Sequence, residues 1–289
     1  MENTLYLGES YPHISLNLGA SGHAGFFKGA KFQFEESVWF FPVDMDWENE
    51  EIEFDSNSFL YTTLIKLAKY LTSESRGSFI IANPYISGDA DALAHLRGSA
   101  KLLMDLAGSA GYIHNAMQKI QSAWIDTINV LYSILGDNND GGLSVGGFQT
   151  WGKGRHACSQ CDMSVMISPD HFKEYFFPYL KKQIKSVDIG FYHFDGIEQI
   201  RFLDMLLSID ELRAIQWQAV EGQPSPVEFI PYLKKIQKAK KGLIIPAKPN
   251  EVEKLMANLS SKGLYMIVNA RDEDEANMVL KTVCKFTHE

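Results

Sequence analysis

His193 and Asp195 lie two positions apart at the end of the apolar run VDIGFYHFDG, and both side chains could do chemistry. In a β-strand, residues i and i+2 share a face, so both would point the same way at the strand's C-terminal end. A neutral imidazole and a carboxylate are both zinc ligands, and the same two groups can act as a general acid and base. The structural alternative is a histidine satisfied by its neighbours and an aspartate that caps the helix beginning near Gly196.

A second candidate is the stretch HACSQC, which supplies His156, Cys158 and Cys161. C-x-x-C is a redox motif or half of a zinc site. A second such pair is absent and Cys284 falls in the last predicted helix, so a structural zinc site is not predicted. Cys161 near a strand end could still join a catalytic metal site. The alternative is a small buried residue.

A third candidate, SGDADALAHLRG, carries Asp89, Asp91, His95 and Arg97. In the functional interpretation, Arg97 binds a substrate carboxylate through two parallel hydrogen bonds. In the structural one, the acids begin a helix and the basic residue is solvated. The glycine-rich stretch LGASGHAG at 18–25 lacks the spacing and the preceding strand of a phosphate-binding loop, so no phosphate site is predicted there.

Composition limits the classes of protein that could carry these residues. The chain has 289 residues, 45% of them hydrophobic, which suffices for one large core and a single domain over 1–289. A net charge of −9 disfavours nucleic acid as a partner. Three cysteines are too few for a disulfide framework, and the sequence shows neither a signal peptide nor a membrane-length apolar run. We therefore expect a cytoplasmic protein with a small-molecule substrate and no membrane or nucleic-acid partner.

Strands and helices alternate from residue 78 onward. The strands are expected within 78–83, 160–167, 187–194, 212–219, 242–246 and 264–270. The helices are expected within 91–107, 112–135, 168–185, 196–208, 225–239, 248–262 and 272–286. Ser168 is the expected N-cap of the third helix and Pro178 should kink or divide it. Short strands that are apolar on both faces predict a parallel sheet buried by helices, and a (β/α)₈ barrel is preferred over an open sheet. The aromatic segment 32–47 is interpreted as a hairpin or a covering segment.

In parallel α/β folds the chemistry lies at the C-terminal ends of the strands. In this chain those positions, and the loops that follow them, are rich in polar and titratable side chains. They are Asn83, Tyr85, Cys161, Asp162, His193, Asp195, Gln216, Trp217, Glu221, Lys248, Asn269 and Arg271.

The stretches CDMSVMISPDHFKEYFFPYLKKQIK, FYHFDG, IQW and VNA together resemble the uroporphyrinogen decarboxylase superfamily over roughly residues 85–285. This superfamily includes porphyrinogen decarboxylases, corrinoid-dependent methyltransferases and zinc-dependent methionine synthases. The resemblance implies a (β/α)₈ TIM barrel of the uroporphyrinogen decarboxylase type. Because the arginine-rich R.AGRY.P signature of the decarboxylases is absent, it also implies a barrel that lacks its first βα unit. Such a barrel would expose sheet edges, which segment 32–47 or a homodimer would cover.

Departures from the family pattern narrow the expected activity. The decarboxylases carry an acid followed by serine where this chain has Asp162 and Met163. The methyltransferases carry His-x-Cys where it has His193 and Asp195, and the last strand lacks their second cysteine. These differences argue against porphyrinogen decarboxylation and against a zinc site rich in thiolates.

The resemblance therefore implies a methyltransferase that moves a methyl group from a small donor to a corrinoid or thiol acceptor. His193, Asp195 and Asp162 would be catalytic, and His193, Asp195 and Cys161 would hold zinc. A corrinoid would come from a partner protein. The expected substrate-binding residues are Tyr85, Arg97, Trp217, Glu221, Asn269 and Arg271. One alternative is a decarboxylase of a porphyrinogen or another acidic substrate, with Arg97 and Arg271 on its carboxylates. Another is a non-catalytic member of the fold.

Overall fold

The computed structural model describes residues 4–108 and 111–288, and the chain folds into two compact units. The N-terminal unit comprises Pro12–Gly190, and the C-terminal unit comprises Met1–Tyr11 and Phe191–Glu289. Both units mix helices and strands, so the chain has an α/β fold. The single barrel domain expected over 1–289 stays a prediction.

The N-terminal unit combines short strands with a group of helices. Its strands are β1 (His13–Ser15), β2 (Lys31–Phe34), β3 (Val38–Phe41), β4 (Ile80–Ala82), β5 (Gly142–Val145), β6 (Thr150–Lys153) and β7 (His156–Ser159). Its helices are α1 (Phe59–Ser75), α2 (Asp89–Arg97), α3 (Ser99–Ala107), α4 (Ile113–Leu135), α5 (Pro169–His171) and α6 (Phe177–Lys185). β1 pairs parallel with β4, whereas β2 with β3 and β5 with β6 form antiparallel pairs. The hairpin expected within segment 32–47 is therefore confirmed.

Helix α4 supplies a large part of the apolar core of the N-terminal unit. Trp124, Ile128, Leu131 and Leu135 recur at helical spacing and are buried in one cluster with residues of α1. The Trp124 indole N–H donates to the carbonyl oxygen of Ile86, which satisfies its polar atom inside this core. The helix predicted over 112–135 is thus confirmed. No helix in the described part of the chain is both long and apolar enough to cross a lipid bilayer.

The helical structure predicted within 91–107 is confirmed, but Gly98 divides it into α2 and α3. Gly98 has φ +87°, a backbone conformation that residues with a side chain rarely adopt. A Cβ at this position would also lie 2.9 Å from Cγ of Pro42. Apolar periodicity continues across the glycine in the sequence, but the backbone changes direction there.

Replacing Gly98 with alanine is expected to lower the free energy of unfolding by about 1–3 kcal/mol, the cost of holding a residue with a side chain in a sparsely populated backbone conformation. Urea denaturation measures this change. Gly111→Ala is a suitable control, since a Cβ at Gly111 would meet nothing within 4 Å. We expect the control to stay within about 0.5 kcal/mol of the wild type. Equal losses in the two variants would contradict this explanation of the helix break.

The strand predicted at 160–167 is also wrong. Strand β7 occupies the preceding residues, and the chain then turns into a short 3₁₀ helix at Asp162–Met166. The reason is a long-range contact, because the Asp91 carboxylate accepts the backbone N–H groups of Asp162 and Met163 at 3.1 and 2.9 Å. These two bonds fix a turn where β-propensity alone favours extended chain.

The segment that follows agrees closely with its sequence signals. The Ser168 hydroxyl accepts the backbone N–H of His171 at 3.1 Å, as expected of an N-cap. Pro178 lies at the start of α6, and the chain before it makes a wider π-helical turn at Phe172–Phe176. The division of this helix predicted from Pro178 is therefore confirmed, since proline cannot continue the hydrogen-bond ladder.

The C-terminal unit is built from repeated strand–helix steps. Its strands are β8 (Ile189–Phe194, of which the first two residues belong to the N-terminal unit), β9 (Leu212–Trp217), β10 (Gly242–Ala247) and β11 (Leu264–Val268). Its helices are α7 (Leu203–Leu207), α8 (Ile230–Lys238), α9 (Val252–Asn258) and α10 (Glu273–Phe286). These four strands are neighbours, in chain order, within a five-stranded sheet, and β10 runs parallel to both β9 and β11. The predicted βα alternation is confirmed here. The four strands do not close on themselves, and an eight-stranded barrel stays a prediction.

Helices α9 and α10 cover β11 at one end of this sheet. Val252, Met256 and Val279 are buried there, with Met266 and Phe286 packed against them. Asp272 caps α10, because its carboxylate accepts the backbone N–H of Glu275 at 2.8 Å. These contacts fix the edge of the sheet at β11.

Candidate functional site

The ends of β8 and β9 are joined by side-chain and backbone hydrogen bonds. The backbone N–H of Gln218 donates to the carbonyl oxygen of Phe194 at 2.9 Å. The side-chain Nε2 of Gln216 donates to Oε1 of Gln218 at 2.9 Å, which turns the Gln216 oxygen toward Nδ1 of His193. Because an amide oxygen can only accept, Nδ1 of His193 carries a proton and donates it. The neighbouring strand thus sets the tautomer and orientation of the imidazole.

Asp195 lies on the other side of the same imidazole ring. Its Oδ1 is 3.9 Å from Nε2 of His193, which is longer than a hydrogen bond. The His193 side chain is 9% exposed and that of Asp195 is 33% exposed, so the carboxylate reaches solvent and the imidazole hardly does. The proximity expected from their spacing in the strand is therefore observed.

The turn after Asp195 is held by two glutamines. Oε1 of Gln199 accepts the backbone N–H of Asp195 at 3.2 Å, and Oε1 of Gln223 accepts that of Ile197 at 3.0 Å. Gly196 has φ +81°, and a Cβ there would lie 2.5 Å from Oε1 of Gln223. Gly196 is the N-cap of the 3₁₀ helix that follows, so the cap position lies one residue after Asp195. The hydrogen bond from its backbone N–H to Gln199 fixes the position of Asp195 in the chain.

The other residues expected in the pocket from this unit lie in varied surroundings. Trp217 is buried and stacks on Phe229, with ring centroids 5.3 Å apart, so it packs within the unit. Glu221 and Asn269 are exposed in loops. Arg271 is exposed and pairs with Glu275 four residues later, at 2.9 Å. The structure brings His193 and Asp195 together, and the substrate-binding roles of Trp217, Glu221, Asn269 and Arg271 stay predictions.

In the N-terminal unit, Asp162 belongs to a hydrogen-bonded network centred on Asp91. Nε2 of Gln160 donates to Oδ2 of Asp162 at 2.9 Å and to Oδ2 of Asp91 at 3.2 Å. Gly88 is packed against this network, since a Cβ there would lie 2.1 Å from Oδ2 of Asp91. The network ties the start of α2 to the turn after β7. It accounts for the position of Asp162, whose catalytic role stays a prediction.

The donor atoms proposed for zinc can be compared with what that ion requires. Within residues 4–108 and 111–288, no group of three or more His, Cys, Asp or Glu side chains is arranged to hold a metal ion. Burial, together with Asp91 and Asp162, raises the pKa of the Cys161 thiol well above its ordinary value, which disfavours the thiolate that zinc binds. His193 and Asp195 alone supply two donors, so these residues do not fit a zinc centre. Zinc binding by His193, Asp195 and Cys161 stays a prediction.

Arg97, one of the expected substrate-binding residues, is paired with an acidic side chain of its own unit. Nε and Nη2 of Arg97 donate to both oxygens of Asp105 at 2.7 and 3.2 Å. The guanidinium also lies over the Trp47 ring, 5.6 Å from its centroid. Burial alone would raise the pKa of Asp105, but the hydrogen bonds from Arg97 and Tyr112 hold it below its ordinary value. The two parallel hydrogen bonds that Arg97 was expected to make to a substrate carboxylate are made to Asp105 instead.

Tyr85 follows β4 and packs against Phe148, with ring centroids 5.3 Å apart. The contact lies in the loop region after β4 and β5, within the N-terminal unit. Its substrate-binding role stays a prediction, as does that of Arg97.

Sequence reasoning missed the partners that orient the candidate residues. Gln216 was recognised only as a polar residue at a strand end, and Gln199 was not singled out. His23, within the glycine-rich stretch dismissed as a phosphate loop, is fully buried, and its Nε2 lies 3.2 Å from Oδ1 of Asp89. The signal available for Gln216 was its place at the end of the strand next to β8. No local signal marks His23.

Comparisons with known proteins support the fold and leave the family open. No protein-family model matches the chain, and no curated protein matches it. A solved structure, a methyltransferase from Methanosarcina mazei, matches with a TM-score of 0.64 and 11% sequence identity. The match covers 95% of this chain and 80% of the other. The chain therefore shares its fold with that methyltransferase, and membership of the uroporphyrinogen decarboxylase superfamily stays a prediction.

Proposed function

We propose that this protein is a methyltransferase that moves a methyl group from a small donor to a corrinoid or thiol acceptor. The observation that carries the proposal is the imidazole of His193, held by Gln216 on one side and facing Asp195 at 3.9 Å on the other. The shared fold with a methyltransferase supports the reaction class. The architecture assumed is a (β/α)₈ barrel of the uroporphyrinogen decarboxylase type, in which strand ends carry the chemistry.

His193 and Asp195 would manage the protons of the transfer. The acceptor attacks the methyl carbon, the bond from that carbon to the donor's oxygen or nitrogen breaks, and its electron pair stays on the leaving atom. Nε2 of His193, when protonated, gives its proton to that atom, which leaves as an alcohol, water or amine. With a thiol acceptor, the Asp195 carboxylate takes the S–H proton and later returns it to Nε2. Such positioned proton transfer typically contributes a factor of about 10²–10⁴ to the rate.

The surroundings of the two groups suit these roles. Gln216 fixes the proton on Nδ1, so only Nε2 exchanges a proton with a substrate. Asp195 is partly exposed and can meet an incoming thiol. Where the acceptor is a corrinoid, it is a substrate that a partner protein would deliver.

A decarboxylase of an acidic substrate is less well supported. That reaction would need arginines available for substrate carboxylates, whereas Arg97 is paired with Asp105 and Arg271 with Glu275. Both pairs would have to break before a substrate could use either arginine.

The test is methyl transfer by the purified full-length chain. Methanol, methylamine and a methoxylated aromatic are offered as donors, each with cob(I)alamin or a small thiol. We expect at least one donor to yield methylcobalamin, detected by absorbance, or a thioether, detected by mass spectrometry. Absence of transfer above the protein-free blank in every combination would overturn the proposal and favour a non-catalytic member of the fold.

A further inference from the structure

A buried polar cavity lies in the N-terminal unit. Asp89, Gln160 and Gln183 line it, together with apolar side chains such as Met117 and Phe176. It has room for about one water molecule. The three polar residues are at most 3% exposed, so bulk water does not solvate them.

The side-chain amide nitrogens of Gln160 and Gln183 both donate hydrogen bonds to carboxylates. Nε2 of Gln183 donates to Oδ1 of Asp89 at 3.2 Å, and Nε2 of Gln160 donates to Asp91 and Asp162. With both amide nitrogens engaged, Oδ2 of Asp89, Oε1 of Gln160 and Oε1 of Gln183 remain without a hydrogen-bond partner among the described residues. Buried polar atoms are nearly always satisfied, so three such oxygens around one cavity indicate an occupant.

The chemistry of the three atoms restricts what that occupant can be. All three are acceptors, and a water molecule has only two hydrogens to donate, so water would leave one oxygen unsatisfied. Asp89 is hydrogen-bonded to Gln183 and lies beside His23, and Gln160 donates to two further carboxylates, those of Asp91 and Asp162. Of the three oxygens, only that of Asp89 carries formal charge, which balances one positive charge. Mg²⁺ usually keeps several waters, for which this cavity has no room.

We infer that the cavity binds a dehydrated monovalent cation, sodium or potassium, through Asp89, Gln160 and Gln183. The ion would neutralise the carboxylate and satisfy the two amide oxygens. It would also join α2, which carries Asp89, to α6, which carries Gln183, and to the residue after β7, Gln160. Binding would therefore stabilise the N-terminal unit and is independent of the proposed methyl transfer.

The test measures thermal unfolding of the full chain in sodium, potassium and choline chloride at equal ionic strength. A ligand that binds only the folded state raises the Tm with its concentration, and a tenfold excess over the Kd corresponds to about 2–5 °C for a chain of this size. We expect this rise with sodium or potassium and not with choline. Equal Tm values in the three salts would overturn the inference and leave a water molecule beside a protonated Asp89.

Substitutions test whether a rise in Tm with sodium or potassium comes from binding in this cavity. Asp89→Asn removes the charge and is expected to abolish the difference between the alkali cations and choline. Asp126→Asn, the same change at an exposed position of the same unit, should keep it. Should Asp89→Asn fail to fold, Gln183→Met removes one ligand oxygen at similar length and should weaken the response. If the rise in Tm persists in Asp89→Asn and Gln183→Met, the cation binds elsewhere and the inference is wrong.

Discussion

Replacing His193 with glutamine is expected to lower the rate of methyl transfer by about 10²–10⁴-fold, because the leaving group loses its proton donor. Glutamine is close in size and keeps a polar group beside Gln216, so the fold should be retained. The measurement compares the rate of wild type and variant with the donor and acceptor identified by the transfer assay. Circular dichroism and thermal unfolding establish that the variant is folded.

Two further variants make this result specific. Asp195→Asn keeps the shape of the side chain and removes its charge, so it should also slow transfer to a thiol. His288→Gln is the matched control, since His288 is the exposed histidine near the end of the same unit and should leave the rate unchanged. If folded His193→Gln transfers methyl groups as fast as the wild type, His193 has a structural role and the proposed mechanism is wrong.

The pair His193 and Asp195 could be found in the sequence because the evidence for it is local. The period of two in a strand places both side chains on one face, and the glycine after Asp195 marks the end of the strand. The same holds for α4, the hairpin of β2 and β3, and the division of the helix at Pro178. In each case the residues that decide the structure are close neighbours in the chain.

The features that sequence reasoning missed depend on contacts between distant residues. Asp89 meets His23, 66 residues before it, and Gln183, 94 residues after it. Asp91 turns the chain after β7 from 71 residues away, and the expected strand at 160–167 was misplaced for that reason. Acids at the start of a helix are usually solvated, so nothing local distinguishes Asp89 and Asp91, which are buried.

The free energy of unfolding is expected to depend strongly on pH because of His156. This residue is buried at the start of β7, where its Nδ1 lies 2.9 Å from the carbonyl oxygen of Ile189 and its Nε2 2.9 Å from the Thr150 hydroxyl. Since a carbonyl oxygen can only accept, Nδ1 carries the proton and Nε2 accepts from Thr150, so the ring is neutral. Burial outweighs the hydrogen bond to Ile189 and lowers the pKa of His156 to about 4.

The sign of the effect follows from the two protonation equilibria. The unfolded chain binds a proton at His156 below its ordinary value of about 6.5, while the folded chain resists protonation until about pH 4. Between these values the unfolded state holds more protons, so the free energy of unfolding falls as the pH is lowered. A difference of about 2.5 pKa units corresponds to a loss of about 3 kcal/mol, complete once the pH is near 4.

Urea denaturation from pH 7 to pH 4 on wild type and His156→Gln measures this contribution. Other titrating groups, including His95, whose pKa burial also lowers, act in both proteins and cancel in the difference. We expect the wild type to lose about 3 kcal/mol more than the variant across this range. Parallel stability curves would show that His156 does not carry the effect. An NMR titration of the His156 ring in the wild type gives an independent check, because its resonances should stay fixed until the pH approaches 4.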